Sequence, residues 1–303
     1  MSARIAIMTS TPGWHGRRLA DAFAALGVDT RFVALADCRV DLEANRCGIV
    51  VPGFRGAPPD GVFVREVATG SFEQVTFRLA ILHALAAWDV PVYNSARAIE
   101  RTVDKSMTSM LLRRAGIATP ATWVAEGSAA ARAALMREAA RGRRLVLKPL
   151  FGSQGRGLQR LGAGDALPPG EDYSGVYYLQ RFIEAEGDDA RDYRVFVIGG
   201  KAAAAMVRRG ADWVHNVARG ARCVAAPLED DLCELAERAV RAIGLDYAGV
   251  DLMRGPDGAA VVIEVNGIPA WQGLQSVAPI DIAARLAQDF VRRRLSAPSR
   301  AAG

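Results

Sequence analysis

Three oxygen-bearing side chains gather near the end of this chain. Gly249-Val250-Asp251-Leu252 reads as a strand, and across the turn Gly255 to Gly258 a second strand runs Val261-Val262-Ile263-Glu264-Val265-Asn266. Glu264 and Asn266 are two apart, so on a strand they share one face. Asp251 lies on the antiparallel neighbour and can point at the same spot. The flanking residues are nearly all apolar, and oxygen groups aimed together among them are expensive without a cation. Magnesium prefers carboxylate and phosphate oxygens, and manganese accepts a similar set. The other reading is a half-exposed hairpin with ordinary outward polar residues. The pattern alone does not choose between them; the Pro269 turn and the motifs upstream favour the metal.

A glycine loop lies upstream. Leu145-Val146-Leu147-Lys148-Pro149 enters Phe151-Gly152-Ser153-Gln154-Gly155-Arg156-Gly157. Glycines let backbone N–H groups fold around phosphate oxygens, and a nearby lysine adds a point charge. The lysine precedes the glycines, unlike the G-x-x-x-x-G-K-[ST] loop. No helix pattern opens at the last glycine, unlike a dinucleotide fingerprint. A plain hairpin turn is the alternative; the lysine on the entering strand favours a phosphate lid.

The third group spans Val176 to Arg194. Val176-Tyr177-Tyr178-Leu179-Gln180-Arg181-Phe182-Ile183-Glu184 reads as a strand running into a connector, which can offer backbone groups to a base edge between apolar walls. Asp192-Tyr193-Arg194 opens another strand with both charges on one face. An ordinary surface ion pair is the bland reading there.

The elements that position these groups fall into three α/β units. In residues 1–95 strands at Arg4 to Met8, Thr30 to Ala34, Val62 to Val64 and Val92 to Tyr93 alternate with helices at Trp14 to Leu26 and Phe72 to Trp88. This alternation implies a parallel sheet covered by helices. A lid unit is expected at 96–172 and a metal-bearing unit at 173–295, with a disordered tail at 296–303. Gly199-Gly200 between two strands predicts a hairpin.

Composition bounds the function. The chain has 303 residues, 38 Lys and Arg against 33 Asp and Glu, and a net charge of +5. That modest excess suits an enzyme of anionic substrates, and no basic stripe with interleaved aromatics points to nucleic acid. The run Arg292, Arg293 and Arg294 fits the negative end of a helix dipole. Cys38, Cys47, Cys223 and Cys233 show no C-x-x-C spacing, so neither zinc nor a disulfide framework is expected, and a cytoplasmic setting is. No apolar run approaches the roughly 18 residues of a membrane span.

The order Asp104-Lys105, Leu147-Lys148 with its glycine loop, Gln180 to Ile183, Asp192-x-Arg194, Arg208-Arg209, Asn216, Asp251 and Glu264-x-Asn266 resembles the ATP-grasp superfamily. More narrowly it is similar to RimK-type glutamate ligases, over most of the chain. Each motif is weak alone; eight in order at compatible spacing are specific. The resemblance implies an α/β ATP-grasp fold: an N-terminal parallel-sheet domain plus two α+β subdomains clamping ATP.

It also implies roles. Lys105 and Lys148 would contact the ATP phosphates, and the loop with Gly152, Ser153, Gln154, Gly155 and Gly157 would close over them. Gln180, Arg181, Phe182 and Ile183 would hold adenine, mainly by backbone. Asp192 would lie near the nucleotide and Asn216 would help anchor phosphates. Arg194 and Arg208 would face the reacting groups. Asp251, Glu264 and Asn266 would hold magnesium. Arg65 would reach the acceptor from the first domain.

Two departures lie near the expected acceptor site. After Asn266 the family often has small residues ending in Pro-Gly, whereas this chain reads Gly267-Ile268-Pro269-Ala270-Trp271-Gln272-Gly273-Leu274-Gln275; and Val207 stands where a Glu commonly precedes the arginine pair. The stretch around Trp271 is closer to RimK-like ligases of tetrahydromethanopterin-type cofactors. A tryptophan face could stack on such a ring; the alternative is a core residue. The expected activity is therefore amide formation through an acyl phosphate. L-glutamate would be the amine and a small-molecule carboxylate the acceptor, with no nucleic acid or membrane partner and homo-oligomerisation left open. A glutamate ligase for a protein C-terminus, a kinase using the same ATP site and a non-catalytic nucleotide-binding regulator are the rivals. The presence of both Asp251 and Glu264 argues against the regulator.

Overall fold

The structure, a computed structural model, describes residues 2–54, 56–152, 155–184, 191–210, 213 and 220–295. The chain opens with β1 (Arg4–Met8), α1 (Gly13–Ala24), β2 (Asp29–Val33), β3 (Arg39–Val40), β4 (Ile49–Val50), β5 (Gly61–Val64), α2 (Phe72–Ala87) and β6 (Val92–Tyr93). Four of these strands form a parallel sheet in the order β2-β1-β5-β6. Its central strands are apolar and buried from Ile5 to Met8 and from Val62 to Val64 because both faces are covered. Ile5, Ile7 and Phe63 meet Leu19 and Phe23 of α1, whereas Ala6, Met8, Val62 and Val64 meet Ile81, Leu82 and Leu85 of α2. Ser71 and Gln74 close a capping box at the start of α2. The small antiparallel ribbon β3–β4 lies between β2 and β5 along the chain.

The middle of the chain supplies α3 (Ala96–Val103), α4 (Lys105–Arg114), β7 (Thr122–Glu126), α5 (Ser128–Ala139), β8 (Leu145–Lys148), β9 (Gln159–Leu161) and β10 (Val176–Arg181). Its antiparallel sheet runs β7-β10-β8-β9. Val176 to Arg181 was expected to belong with the last unit. Its hydrogen bonds instead place it inside this sheet, between β7 and β8. Conversely Ala98, Leu111 and Leu112, which fall in the range expected for the lid, pack into the core of the last sheet with Val240 and Ile243.

The last part holds β11 (Arg191–Ile198), β12 (Lys201–Arg209), β13 (Arg222–Ala226), α6 (Asp230–Ile243), β14 (Tyr247–Arg254), β15 (Ala260–Asn266), α7 (Gln272–Gln275) and α8 (Ile282–Phe290). The strands form an antiparallel sheet in the order β13-β12-β11-β14-β15. Gly199 and Gly200 both have positive φ, 61° and 82°, and close the β11–β12 hairpin. One sheet face, with Val195, Val197, Val250 and Leu252, packs under α6. The other is divided along its length. Phe196, Ile198 and Tyr247 pack against the first domain, α7 and α8, while Asp192, Arg194 and Asp251 occupy the opposite end. The run Arg292 to Arg294 does more than face a helix end: Arg292 pairs with buried Asp289 at 2.8 Å and Arg294 with buried Asp246 at 2.5 Å. Among the described residues no helix is long and apolar enough to cross a membrane. The expected tail, 296–303, lies outside them.

Candidate active site

The polar end of the five-stranded sheet is a buried array of charges. Cross-strand register sets Asp192 opposite Arg208, Arg194 opposite Asp251, and Asp251 opposite Glu264. Arg208 donates from Nε and Nη2 to the two oxygens of Asp192 at 2.6 and 2.7 Å. Arg194 grips Asp251 in the same way, at 2.6 and 2.7 Å. Arg208 Nη2 also lies 2.9 Å from Asp251 Oδ2. Asp192, Arg208 and Asp251 are 5%, 4% and 3% exposed. Asp192 and Arg194 therefore form no surface pair with each other. Each pairs across a strand, in a place where an unpaired charge would be severely penalised.

The burial shows in the titration of these groups. Desolvation pushes the Asp192 carboxyl up to about 6, against the pull of Arg208. Desolvation also acts on Asp251, but Arg194 and Arg208 outweigh it and hold that carboxyl below its ordinary range.

Glu264 and Asn266 stand on β15, at the sheet edge. The register slips beside Asp251, which pairs with Glu264 while Leu252 pairs with Val262. This leaves Ile263 as an extra, bulged residue, and both Ile263 and Glu264 line the cleft. A regular strand would turn one of them away. Among the described residues no group of three Asp, Glu, His or Cys side chains gathers. Asp251, Glu264 and Asn266 bring two carboxylates and an amide to the lining of the cleft. The residues present fit a hard divalent cation. Glu264 makes no side-chain hydrogen bond among the described residues. Asn266 Nδ2 is buried without a partner, a position the amide oxygen occupies if the group is turned over. Asp251 accepts three N–H bonds, leaving roughly one of its four lone-pair sites.

The central sheet closes the cleft from above. Its volume is about 520 Å³, and Val146, Leu158, Phe182, Met253 and Ile263 supply apolar walls. Lys148 Nζ donates to Gln180 Oε1 at 2.7 Å, and Gln180 Nε2 donates to Tyr178 Oη and Thr122 Oγ1. Burial lowers Lys148 to about 8, with Glu264 opposing. Lys105 is lowered too, by burial, and its Nζ donates to the Gly152 carbonyl at 2.7 Å. This ties the first glycine of the loop to the start of α4. Gly155 and Arg156 line the cleft, whereas Gly157 packs against Pro149, where a Cβ would sit 2.9 Å from Cγ. Ser153, Gln154 and Asn216 lie outside the described residues.

Three expectations need correction. Arg181 lines the cleft, but its guanidinium is turned to Glu138 of α5, at 2.7 and 3.1 Å. Its N–H and that of Phe182 already donate to Ala121 and Arg144 carbonyls. These two backbone donors are therefore engaged within the fold. Trp271 is 0% exposed and offers no free face for a ring. It packs between His15, Phe196 and the Arg65 guanidinium, which lies 4.9 Å from the ring. Arg65 itself donates to the Pro269 carbonyl at 3.0 Å, so it is held behind the cleft wall rather than in the cleft. Sequence reasoning missed His15, which lines the cleft from the first domain. Its position in the first turn of the helix after a parallel strand, as one of three histidines in the chain, was the available signal.

Comparison with known proteins bears on the family and the fold. Residues 102–290 match the RimK-like ATP-grasp domain and residues 3–99 the RimK PreATP-grasp domain. The tetrahydromethanopterin:alpha-L-glutamate ligase of Methanosarcina acetivorans is 34% identical over 71% of this chain and 74% of its own length. That of Methanocaldococcus jannaschii is 34% identical over 77% and 79%. A probable alpha-L-glutamate ligase 2 of Shewanella denitrificans is 30% identical over 97% of both chains. Among solved structures, ATP-grasp ligase PsnB complexed with minimal precursor has a TM-score of 0.73 at 22% identity, covering 96% and 99% of the two chains. D-cycloserine synthetase DcsG has 0.73 at 21%, with the same coverage. At those identities the likeness speaks for the fold. With two matched domains that together span most of its length, the chain belongs to the RimK-like ATP-grasp family of ligases.

Proposed function

We propose that this protein joins the carboxylate of a small molecule to the amine of L-glutamate, consuming ATP through an acyl phosphate. The observation that carries the reading is the array at the base of the cleft. Two arginines and two lysines converge there with Glu264 and Asn266, under a sheet whose glycine loop is clipped to Lys105. Buried cationic groups at the base of a cleft stabilise charge moving onto a γ-phosphoryl oxygen and then onto the tetrahedral oxyanion.

In this reading Lys148 and Lys105 bind the triphosphate. Glu264, Asn266 and the remaining lone pair of Asp251 would hold a divalent cation, which would supply charge neutralisation at the phosphates. Arg194 and Arg208 are positioned by Asp251 and Asp192 to face the reacting carboxylate. The adenine lies between Val146, Phe182 and Met253, with the connector at Ile183 at its edge. A PsnB complex holding Mg and ADP supports this choice of ligands by analogy of fold. The names of the methanogen relatives support L-glutamate and a tetrahydromethanopterin-type acceptor; the buried Trp271 contributes nothing to that choice.

The test is ADP release from purified protein, with amino acids crossed against carboxylate acceptors that include a tetrahydromethanopterin precursor and a ribosomal C-terminal peptide. The reading expects release that requires both L-glutamate and the precursor. Release with the precursor alone would indicate a kinase. Preference for the peptide would indicate a protein-modifying ligase.

A further inference from the structure

Three side chains at the carboxyl edge of the parallel sheet reach one short backbone segment. Arg65 directly follows β5, Asn94 directly follows β6, and His15 stands in the first turn of α1, after β1. Asn94 Nδ2 donates to the Gly267 carbonyl at 2.7 Å, and Arg65 Nη1 donates to that of Pro269 at 3.0 Å. His15 Nε2 accepts the N–H groups of Trp271 and Gln272 at 3.1 and 3.2 Å. In an open parallel sheet this edge is where a ligand ordinarily binds. Here it holds the chain itself, at the residues that directly follow Asn266.

We infer that residues 267–272 form an acceptor-shaping loop, and that His15, Arg65 and Asn94 are positioning residues that set its form and hence the choice of substrate. The inference rests on the reading of the cleft as a ligase site. Pro269, Ala270 and Gln272 wall the cleft, so a shift of this backbone changes the space beside the reacting groups. The loop has little slack. A Cβ on Gly267 would stand 2.7 Å from Thr102 Oγ1, and one on Gly249 would stand 3.2 Å from Pro269 Cβ. Asn94 also accepts the N–H groups of Asp246 and Tyr247, so one buried amide joins the start of β14 to Gly267. The Trp271 ring is clamped between the Arg65 guanidinium and the His15 edge, at 4.9 and 4.6 Å.

The histidine must be neutral for this, with the proton on Nδ1, because only an unprotonated Nε2 accepts. Burial, reinforced by Arg65, lowers His15 to about 4 and keeps it so. The held segment is also where the sequence departs from the related pattern, and the residues that hold it lie outside it.

The test compares His15→Leu with His15→Gln in the full chain. A glutamine amide oxygen reaches the place of Nε2 and accepts two N–H bonds, whereas leucine accepts none. Amide hydrogen exchange over residues 267–276 should quicken about tenfold in the leucine variant, the worth of about one hydrogen bond. Exchange in β8 and β10 should not change. The KM for the carboxylate acceptor should rise about tenfold with that for ATP within about twofold, and glutamine should restore both readouts. Unchanged exchange in the leucine variant, equal movement of the two KM values, or no rescue by glutamine would overturn the inference. If the wild type releases no ADP with any acceptor, the ligase reading fails instead, and the exchange of residues 267–276 alone decides whether His15 positions the loop.

Discussion

Arg208 Nη2 lies 2.9 Å from Asp251 while bonding Asp192 at 2.7 Å, so one guanidinium holds two buried carboxylates on neighbouring strands. With Arg194 the four side chains form a neutral set beneath the cleft. Such buried sets contribute little net stability, because desolvation offsets attraction, but removing one member leaves a charge unpaired. In the proposed reading their use is geometric: the paired carboxylates fix the guanidinium forks in place.

Replacing Arg208 separates these two effects. Arg208→Met should lower unfolding stability by about 3–5 kcal/mol. Arg208→Lys keeps the charge and loses the fork, so it should fold and yet lose roughly 10²-fold or more in turnover. Urea unfolding and ADP release on both variants check this. A lysine variant of near wild-type turnover would mean that the fork is structural only.

The two candidate cation carboxylates should behave differently. Glu264 makes no side-chain hydrogen bond among the described residues and meets Lys148 and Lys105 only through its charge, so Glu264→Gln should lose less stability than Asp251→Asn and should lose magnesium-dependent nucleotide binding together with turnover. Asp251→Asn leaves two arginines short of their partner and should lose stability as well as turnover. Calorimetric titration with nucleotide, with and without magnesium, is the measurement. Unchanged binding in Glu264→Gln would remove that residue from the cation set.

The alternation of the first sheet was plain in the sequence because both faces are buried, making Ile5 to Met8 an unbroken apolar run. The grouping of Asp251, Glu264 and Asn266 followed from strand period and a short turn. What was hidden came from tertiary pairing. Nothing local announces that Val176 to Arg181 inserts between two earlier strands, or that Asp192 meets Arg208 rather than Arg194. The bulge at Ile263 and the reach of His15 to Trp271 are likewise consequences of packing. Trp271 was misleading because a large aromatic beside a site suits core and platform equally; only burial separates them.

Lys148 gives a pH dependence with a definite sign. Burial lowers its pKa to about 8 in the fold, below the ordinary 10.5 of the unfolded chain. Between those values the folded state binds fewer protons, so stability should rise with pH across that window and be flat with respect to this group below it. A bound triphosphate favours the charged form, so binding near pH 8 should be accompanied by proton uptake. Calorimetry in buffers of different ionisation enthalpy reads the uptake. It should vanish in Lys148→Met, whereas Lys201→Met, at an exposed pair with Glu237, should retain it.

Trp271→Ala should act on the fold rather than on a substrate ring. Emptying a fully buried tryptophan site costs about 3–5 kcal/mol. The unfolding midpoint should fall accordingly. A variant of wild-type stability with a selectively weakened acceptor would restore the stacking role that burial argues against.

The most direct test of the ligase mechanism follows an oxygen atom. In the proposed reaction a carboxylate oxygen of the acceptor bonds to the γ-phosphorus of ATP as ADP leaves. The glutamate amine then displaces phosphate, which carries that oxygen away. With an acceptor labelled with oxygen-18 in its carboxylate, mass spectrometry of the released phosphate should show one labelled oxygen for each amide formed. Unlabelled phosphate, or ADP formed with no amide, would contradict the account.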